Sequence, residues 1–349
     1  MSGRLGSSFD AANVETLSGK LRGMSAADPV LRRRVKSLTR GFYSQLKRLH
    51  APDPLTFVRE AVVPHQPCVL TGLLDDGEGS SLTLAALKDL LEPDAPLVVN
   101  FTPDGRADSL VPGKDVFQLP LEEQVIASDF FDMLHNPVPG DVPGYLSEQN
   151  NNLTSRYPSI EKLVDRRALN LGLAAFGPPE ASNLWIGSSN SVTSLHKDHY
   201  ENLYLCLDGE KMFTLLPPTD VLQVTTRRNL AVHRWERIAE ATSSSKRPQL
   251  HELTLRPTGD APIEWIDDDW ELSNMTSPLK IRLQAGEVLY LPSFWLHSVT
   301  QSRPTLAVNY WFDCNFANNY VLSSLCKTLA SGHEQEDDLC ADNDDDDNE

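Results

Sequence analysis

The sequence predicts a mainly β fold with flanking helices, in the form of a double-stranded β-helix or jelly roll. From Asn183 onward, short apolar segments with strand character are separated by turns. Segments with helical periodicity lie before Asn183 and again near the C-terminal end. The length of 349 residues allows one large domain or two small ones, and the hydrophobic content of 40% supports a globular core.

The first half of the chain is predicted to alternate helices with single strands. An amphipathic helix is expected over residues 29–50, and Asp53 is expected to cap a short helix that runs to Ala61. Further helices are predicted over residues 82–91, 121–134 and 157–171, and strands over residues 67–70, 96–102 and 145–148.

Two turns in the second half are predicted to form hairpins. Asp208 and Gly209 lie between two apolar runs, which is a hairpin signal. The turn over residues 284–287 is expected to join strands 279–283 and 288–292 in a hairpin that leads to His297. Residues 227–274 mix polar runs with acidic residues and are predicted to be an insertion between barrel strands. The last elements expected are a strand over residues 305–312 and a helix over residues 319–330.

The charge of the chain is concentrated in its tail. Ten acidic residues and no Lys or Arg lie between Glu334 and Glu349, so the rest of the chain carries −8 of the formal net charge of −18. We expect a flexible segment at 1–27, one domain at 28–330 and a disordered acidic tail at 331–349. This balance argues against nucleic-acid binding, and no apolar run approaches the length of a membrane span.

Cysteine usage predicts a reduced intracellular protein. The chain has five cysteines, an odd number, and none forms a C-x-x-C pair, which argues against a disulfide framework or structural zinc. The N-terminal residues have no apolar signal-peptide core. The expected location is the cytoplasm, and a basic cluster at residues 32–36 leaves the nucleus as an alternative.

Three side chains have the composition of a facial iron site. His196 and Asp198 are two residues apart, so both can point to one side at the end of a strand. His297 is expected to come from another strand and supply the third ligand. Two imidazoles and one carboxylate hold one face of an octahedral Fe(II) and leave the other face open. By itself, an H-x-D tripeptide is a weak signal.

Two polar residues near this triad have alternative interpretations. Lys211 lies in an apolar run, and a buried unpaired lysine is costly, so it either binds an anion inside the barrel or points to solvent. Thr193 is three residues before His196 and points away from it in an ideal strand, unless a bend turns it inward.

Several blocks of the chain, taken together, resemble the jumonji-C family. The stretch SVTSLHKDHYENLYLCLDGEKMFTLLPPTD resembles the core of that domain. The blocks PHQPCVLTG, FTPDGRADSL, GYLSEQNNNL, AGEVLYLPSFWLHSV and AVNYWFD follow the order of its small members described as bifunctional peptidase and (3S)-lysyl hydroxylase. They cover residues 53–316.

The resemblance implies a cupin-like jelly roll that uses Fe(II), with 2-oxoglutarate and O2 as cosubstrates. It assigns His196, Asp198 and His297 as iron ligands and catalytic centre. It assigns Lys211 and Thr193 to the distal carboxylate of 2-oxoglutarate, for which a lysine is a compact point charge.

Three further residues match positions that line the pocket in related enzymes. Tyr145 contacts the cosubstrate or is an ordinary core aromatic. Asn202, expected to share the side of His196 if the strand continues, and Asn309 bind the cosubstrate or bound water, or they make structural hydrogen bonds to the backbone.

The activity implied by the resemblance is hydroxylation of a lysine in a protein, with a developmentally regulated GTP-binding protein as first candidate. The alternatives are a histone-tail demethylase or peptidase, a non-catalytic jumonji-C binding module and hydroxylation of an RNA base, the last disfavoured by the acidic charge.

Two expectations concern partners. The charge of −8 is expected to favour a basic segment that contains the lysine, with Glu201 or residues 267–269 near the mouth as orienting groups. The resemblance also makes the helix at 319–330 a candidate interface for a homodimer.

Overall fold

Two β-sheets pack face to face and enclose an apolar core, as the jelly-roll prediction requires. The computed structural model describes Val35, Ser37 and residues 46–74, 82–238, 247–267, 278–314 and 316–331. Tyr204 of the first sheet and Phe213 of the second meet edge to face, with ring centroids 5.1 Å apart. Side chains from both sheets form one buried cluster. The predicted segment 1–27 and, except for Ser331, the predicted tail 331–349 lie outside the described residues.

The strands form three sheets. In chain order they are β1 (Lys47–His50), β2 (Cys68–Thr71), β3 (Pro96–Phe101), β4 (Arg106–Ala107), β5 (Ser109–Leu110), β6 (Val116–Leu119), β7 (Leu121–Ile126), β8 (Gly144–Leu146), β9 (Ala181–Gly187), β10 (Val192–His196), β11 (Glu201–Asp208), β12 (Glu210–Leu216), β13 (Thr226–Arg237), β14 (Leu253–Pro257), β15 (Ile263–Ile266), β16 (Leu279–Gln284), β17 (Val288–Leu291), β18 (Leu296–Thr300) and β19 (Thr305–Phe312). The large sheet has the order β1-β2-β17-β11-β19-β9-β8-β3-β7, the second β16-β12-β18-β10-β4 and the third β14-β13-β6-β5, with β15 paired to β13.

Most of the described helices cover the outer face of the large sheet, whereas the last one packs against the helical turn Pro218–Leu222 beside the second sheet. The helices are α1 (Pro54–Phe57), α2 (Leu84–Leu90), α3 (Ala127–His135), α4 (Asn152–Ser155), α5 (Pro158–Glu161), α6 (Arg167–Phe176) and α7 (Val321–Ser331), with wider helical turns at Val58–Val62 and Phe316–Tyr320 and tighter ones at Pro218–Leu222 and Leu250–Glu252. Asp53 caps α1 by accepting hydrogen bonds from the amides of Leu55 and Thr56. Among the described helices, none has the length and apolar character needed to cross a membrane.

Two helix predictions are wrong over part of their length. Residues 47–50 form β1 because they pair in parallel with β2, and only Val35 and Ser37 are described as helical in the rest of that segment. Residues 121–126 form β7, which pairs with β3 along its full length. The buried residues Leu121 and Val125 are four apart, a spacing that fits one face of a helix and one face of a strand equally well.

Both predicted hairpins are wrong, because each turn passes from one sheet to another. Gly209, with φ of +83°, joins β11 of the large sheet to β12 of the second sheet. Gly286, with φ of +86°, joins β16 of the second sheet to β17 of the large sheet. An Asp-Gly pair therefore signals a left-handed turn residue but not which strands pair.

The predicted insertion is more regular than its composition indicates. It contributes β13, β14 and β15, and β13 pairs in parallel with β6 from the first half of the chain. Pairing with β13 places β15 beside β10 of the second sheet, where Glu264 and Trp265 of β15 line a cavity.

Candidate metal centre and adjoining cavity

The antiparallel pairing of β10 with β18 brings two histidines together. His196, at the end of β10, pairs with His297, near the start of β18, and their ring centroids are 4.1 Å apart. Asp198 follows β10 directly, and its Oδ2 lies 3.8 Å from His196 Nε2 and 3.6 Å from His297 Nε2. One ligand atom from each residue lies within 4.8 Å of the others, so the three side chains can hold one metal ion.

Backbone carbonyls fix which nitrogen of each histidine is available. His196 Nδ1 lies 2.8 Å from the Ser194 carbonyl and His297 Nδ1 lies 3.0 Å from the Trp295 carbonyl. Because a carbonyl only accepts, each Nδ1 carries the proton and each Nε2 keeps its lone pair for a metal. Burial, and next the nearby His196, lower the pKa of His297 to about 4, so its ring is neutral at neutral pH. Two imidazoles and one carboxylate suit Fe(II).

A buried carboxylate holds the loop that positions Asp198. The Asp198 carbonyl accepts a hydrogen bond of 2.7 Å from the amide of Phe294, a residue with φ of +62°. The preceding residue, Ser293, donates from Oγ to Glu201 at 2.8 Å, and Tyr290 Oη donates to Glu201 at 2.7 Å. Glu201 is only 4% exposed, so the expectation that it lies at the mouth is wrong.

A bulge turns Thr193 inward. The register between β10 and β18 shifts between Thr193 and His196, which breaks the strict alternation of an ideal strand. Thr193 forms a side-chain hydrogen bond with Tyr145 and lines the same cavity as His196. The inward bend, which the sequence left open, is therefore present.

Lys211 is a buried cation without a buried anion. It is 2% exposed, and its Nζ lies 3.2 Å from Tyr145 Oη and 5.0 Å from the centre of that ring. Among the described residues, no carboxylate forms an ion pair with it. Burial lowers the pKa of Lys211 to about 7. The alternative in which this side chain points to solvent is wrong, and the site offers an ammonium to an anionic ligand.

Asn202 and Asn309 belong to one buried polar network. Asn309 Nδ2 donates to Asn202 Oδ1 at 3.2 Å, and Asn309 Oδ1 accepts from Trp185 Nε1 at 2.8 Å and from Asn183 Nδ2 at 3.2 Å. These bonds join side chains rather than side chain and backbone. Asn202 lies on β11 of the large sheet, whereas β10 ends at His196 in the second sheet. The condition under which the two residues would share a side, a strand that continues from His196 to Asn202, is therefore not met.

A cavity of about 620 Å³ opens beside the triad. The ring of Trp265 lies parallel to that of His196, with an interplanar angle of 6° and 6.4 Å between centroids. Trp265 Nε1 donates to Ser194 Oγ at 3.1 Å. The cavity also contains Asp108 and Glu264. The sequence analysis assigned no role to Trp265 or to Asp108, although Asp108 lies within the block FTPDGRADSL, because each reaches the cavity only through strand pairing.

Of the other acidic residues expected at the mouth, the structure describes only Asp267, which is not free to orient a ligand. Asp267 is buried and forms an ion pair with Arg227. Residues 268 and 269 lie outside the part of the chain that the structure describes.

Comparison with known proteins places the chain in a family. A family profile described as "Cupin-like domain" matches residues 54–318. The human bifunctional peptidase and (3S)-lysyl hydroxylase JMJD7 is 31% identical over 292 residues, which cover 80% of this chain and 88% of the relative. The chain belongs to the cupin-like jumonji-C family.

Two other relatives of this jumonji-C chain are similar over comparable lengths. The lysine-specific demethylase JMJ32 of Arabidopsis thaliana is 32% identical, covering 80% of this chain and 84% of the relative. The JmjC domain-containing protein E of Dictyostelium discoideum is 29% identical, covering 83% and 90%. The family consists of Fe(II)- and 2-oxoglutarate-dependent oxygenases, and the triad described above fits iron.

The triad predicts a specific loss of metal binding. Asp198→Ala removes the anionic ligand, and since loss of a mere supporting hydrogen bond already lowers metal affinity by about 10–100-fold, we expect at least that loss here. The fold should survive, because Asp198 is a partly exposed residue outside the core. Fe(II) titration under anaerobic conditions measures the affinity, with thermal melting as the check on folding. An unchanged Fe(II) affinity in a folded variant would refute the ligand assignment.

Proposed function

We propose that this chain hydroxylates a carbon of a lysine side chain in a protein, using Fe(II), 2-oxoglutarate and O2. The observation that carries the proposal is the combination of the triad of His196, Asp198 and His297 with the buried, anion-free ammonium of Lys211. Bound iron and 2-oxoglutarate supply the oxidative chemistry, in which decarboxylation of the keto acid by O2 yields succinate, CO2 and an oxygen atom inserted into a C–H bond.

The side chains of the barrel bind and orient these groups. His196, Asp198 and His297 would hold the metal through two imidazole nitrogens and one carboxylate, a ligand set that leaves positions for a cosubstrate and O2. In this proposal Lys211 and Thr193 bind the distal carboxylate of 2-oxoglutarate, which is supported by the hydrogen bonds that Tyr145 forms with both side chains. A charge-assisted hydrogen bond in this dry interior is stronger than a neutral one.

The hydrogen-bonded asparagine side chains order part of the barrel interior. Asn309 uses both ends of its amide within the barrel, which fixes the orientation of Asn202. Among the described residues, Asn202 Nδ2 makes no hydrogen bond, so we propose that it donates to the cosubstrate or to bound water. No side chain has to act as a general base in this reaction.

Two features support lysine as the target. One relative is named as a (3S)-lysyl hydroxylase and another as a lysine-specific demethylase, so both names concern lysine but differ in chemistry. The charge of −8 outside the acidic tail favours approach of a basic segment. We propose a developmentally regulated GTP-binding protein as the first substrate to test, with histone-tail demethylation as the alternative.

A serine peptidase activity has a structural argument against it. Ser293 Oγ lies 3.3 Å from His65 Nε2 and 2.8 Å from Glu201, which superficially matches a nucleophile with a base and an acid. Ser293 is 0% exposed, however, so no peptide bond can reach its hydroxyl. The hydrogen bond between Ser293 and Glu201 instead holds the loop whose Phe294 amide contacts the Asp198 carbonyl. A non-catalytic binding module would not need the triad or the cost of burying Lys211.

Location and assembly remain proposals. The four cysteines in the described part of the chain are free and buried, which supports the cytoplasm as the location, with the nucleus as alternative. A homodimer through α7 is supported by the exposed apolar side chains of Val321, Leu322 and Leu325. We also expect no nucleic-acid or membrane partner.

The proposed reaction predicts a mass change on the substrate. We expect incubation of the GTP-binding protein with the enzyme, Fe(II), 2-oxoglutarate and O2 to add one oxygen to a lysine, as read by peptide mass spectrometry. Asp198→Ala is the matched control and should add none. Loss of methyl groups from lysine without any stable hydroxylation would favour the demethylase alternative.

Lys211 predicts a pH dependence of 2-oxoglutarate binding. Its pKa of about 7 rises when an anion binds, so above that pH binding takes up a proton. Affinity should therefore fall as pH rises above about 7, by at most tenfold per pH unit. Calorimetry near pH 8 in two buffers of different ionisation enthalpy measures the uptake.

The control for this prediction is Lys211→Met, which keeps length and removes charge. It should show no proton uptake, and it should bind 2-oxoglutarate about tenfold to a hundredfold more weakly, since a hydrogen bond to a charged group contributes about 1.5–3 kcal/mol. Equal proton uptake by both proteins would refute this role for Lys211.

A further inference from the structure

Strand pairing places Asp108 in the wall of the cavity. β4 pairs in parallel with β10, with Ala107 opposite Thr193, so the next residue, Asp108, lies beside Ser194. Ser194 Oγ donates to the Asp108 carbonyl at 2.6 Å and accepts from Trp265 Nε1 at 3.1 Å. Asp108 has φ of +49°, a left-handed conformation that Asp tolerates better than most residues. The backbone of Asp108 is therefore held by the strand pairing of the preceding residue and by the hydrogen bond from Ser194 to its carbonyl.

Three carboxylates line the cavity, and two of them already have another role, as a candidate metal ligand or as an ion-pair partner. Asp198 belongs to the metal triad. Glu264 forms ion pairs with Arg228 at 3.2 Å and with Lys327 at 3.5 Å. The carboxylate of Asp108 accepts no hydrogen bond and enters no ion pair within the described ranges, and His196 and Arg234 act on it only through electrostatic attraction.

The cations of the cavity do not neutralise Asp108. Arg228 and Lys327 are paired with Glu264. Lys197 donates to Ser323 Oγ at 3.1 Å and lies 6.0 Å from the centre of the Phe294 ring. A half-buried carboxylate without a partner is costly, and a cationic ligand removes that cost.

The rest of the wall suits the stem of a lysine. The face of Trp265 and the apolar side chains of Val221, Ile266 and Leu296 line the cavity. A lysine has an apolar stem of methylene groups and a charged end, so it needs an apolar wall with one anion beside it.

We propose that Asp108 is the specificity-determining residue that binds the ammonium of the substrate lysine, with its stem against Trp265. This inference rests on the proposed function and names the group that recognises its substrate. A lysine bound in this way presents a carbon of its chain, rather than its nitrogen, to the triad. That orientation is the one that carbon hydroxylation requires, and it disfavours demethylation.

A double substitution cycle tests the pairing. The ligands are two short basic peptides that are identical except for a central lysine or norleucine, which lacks the ammonium. The protein variants are wild type and Asp108→Asn, which removes the charge and also tolerates positive φ. Peptide affinity is measured anaerobically on full-length protein loaded with Fe(II) and 2-oxoglutarate. If Asp108→Asn fails to fold, Asp108→Gly replaces it, since glycine accepts the same backbone conformation.

The matched control is Asp104→Asn. Asp104 is an exposed residue of the preceding turn that lies outside the cavity lining, and its Oδ1 accepts from the Arg106 amide, which an asparagine oxygen can also do. We expect wild type and this control to prefer the lysine peptide by about tenfold or more. Asp108→Asn should bind both peptides equally.

The outcomes separate this inference from the proposed function. Wild type that does not distinguish the peptides or does not bind them, or an Asp108→Asn variant that keeps the preference, overturns the role of Asp108 even if lysine is hydroxylated. A preference that depends on Asp108, without oxygen transfer when air is admitted, supports the role of Asp108 and contradicts the proposed hydroxylation.

Discussion

The site depends on one pairing, that of β10 with β18 across the second sheet. This pairing sets His196 opposite His297, and the bulge within it turns Thr193 toward the interior. The carbonyls of Ser194 and Trp295, each two residues before a histidine, fix the ring tautomers. Asp198 joins them because the Phe294 amide holds its carbonyl, and the buried Glu201 holds the loop that contains Phe294. Geometry, protonation and backbone support of the triad therefore follow from the same small region.

Two charged side chains, Lys211 and Asp108, determine which ligands the site favours. Deep in the barrel, Lys211 has a neutral partner, Tyr145, so its ammonium favours an anion. In the cavity beside the triad, Asp108 forms no ion pair with any residue that the structure describes, so its carboxylate favours a cation. An acidic cosubstrate and a basic substrate would therefore bind to different side chains, and the two would not compete for one group.

Much of this arrangement could be predicted from sequence. Apolar patterning indicated the jelly-roll class, and the resemblance of several sequence blocks to the jumonji-C family assigned the triad and Lys211, which local motifs alone had left open. The parts that could not be predicted depend on long-range pairing. The spacing of Leu121 and Val125 fits both periods, so only the partner strand β3 decides the strand. From the sequence, Glu201 was expected at the surface. In the fold it is buried, and Tyr290 and Ser293 donate hydrogen bonds to its carboxylate.

The outer wall of the cavity was missed for the same reason. Trp265 comes from an insertion whose composition gave no strand pattern, and Asp108 reaches the cavity through a two-residue strand. The turns that contain Gly209 and Gly286 were predicted correctly as chain reversals. Which sheet the strand before and the strand after each turn joins depends on the whole fold.

If the proposed function is correct, iron and a chelating keto acid bind together at His196, Asp198 and His297. The most direct measurement is the visible absorption spectrum of the anaerobic Fe(II) protein before and after addition of 2-oxoglutarate. Chelation of iron by the keto acid should produce a metal-to-ligand charge-transfer band in wild type, and no such band in Asp198→Ala. Wild-type protein that carries stoichiometric Fe(II) and shows no band at saturating 2-oxoglutarate would contradict the account.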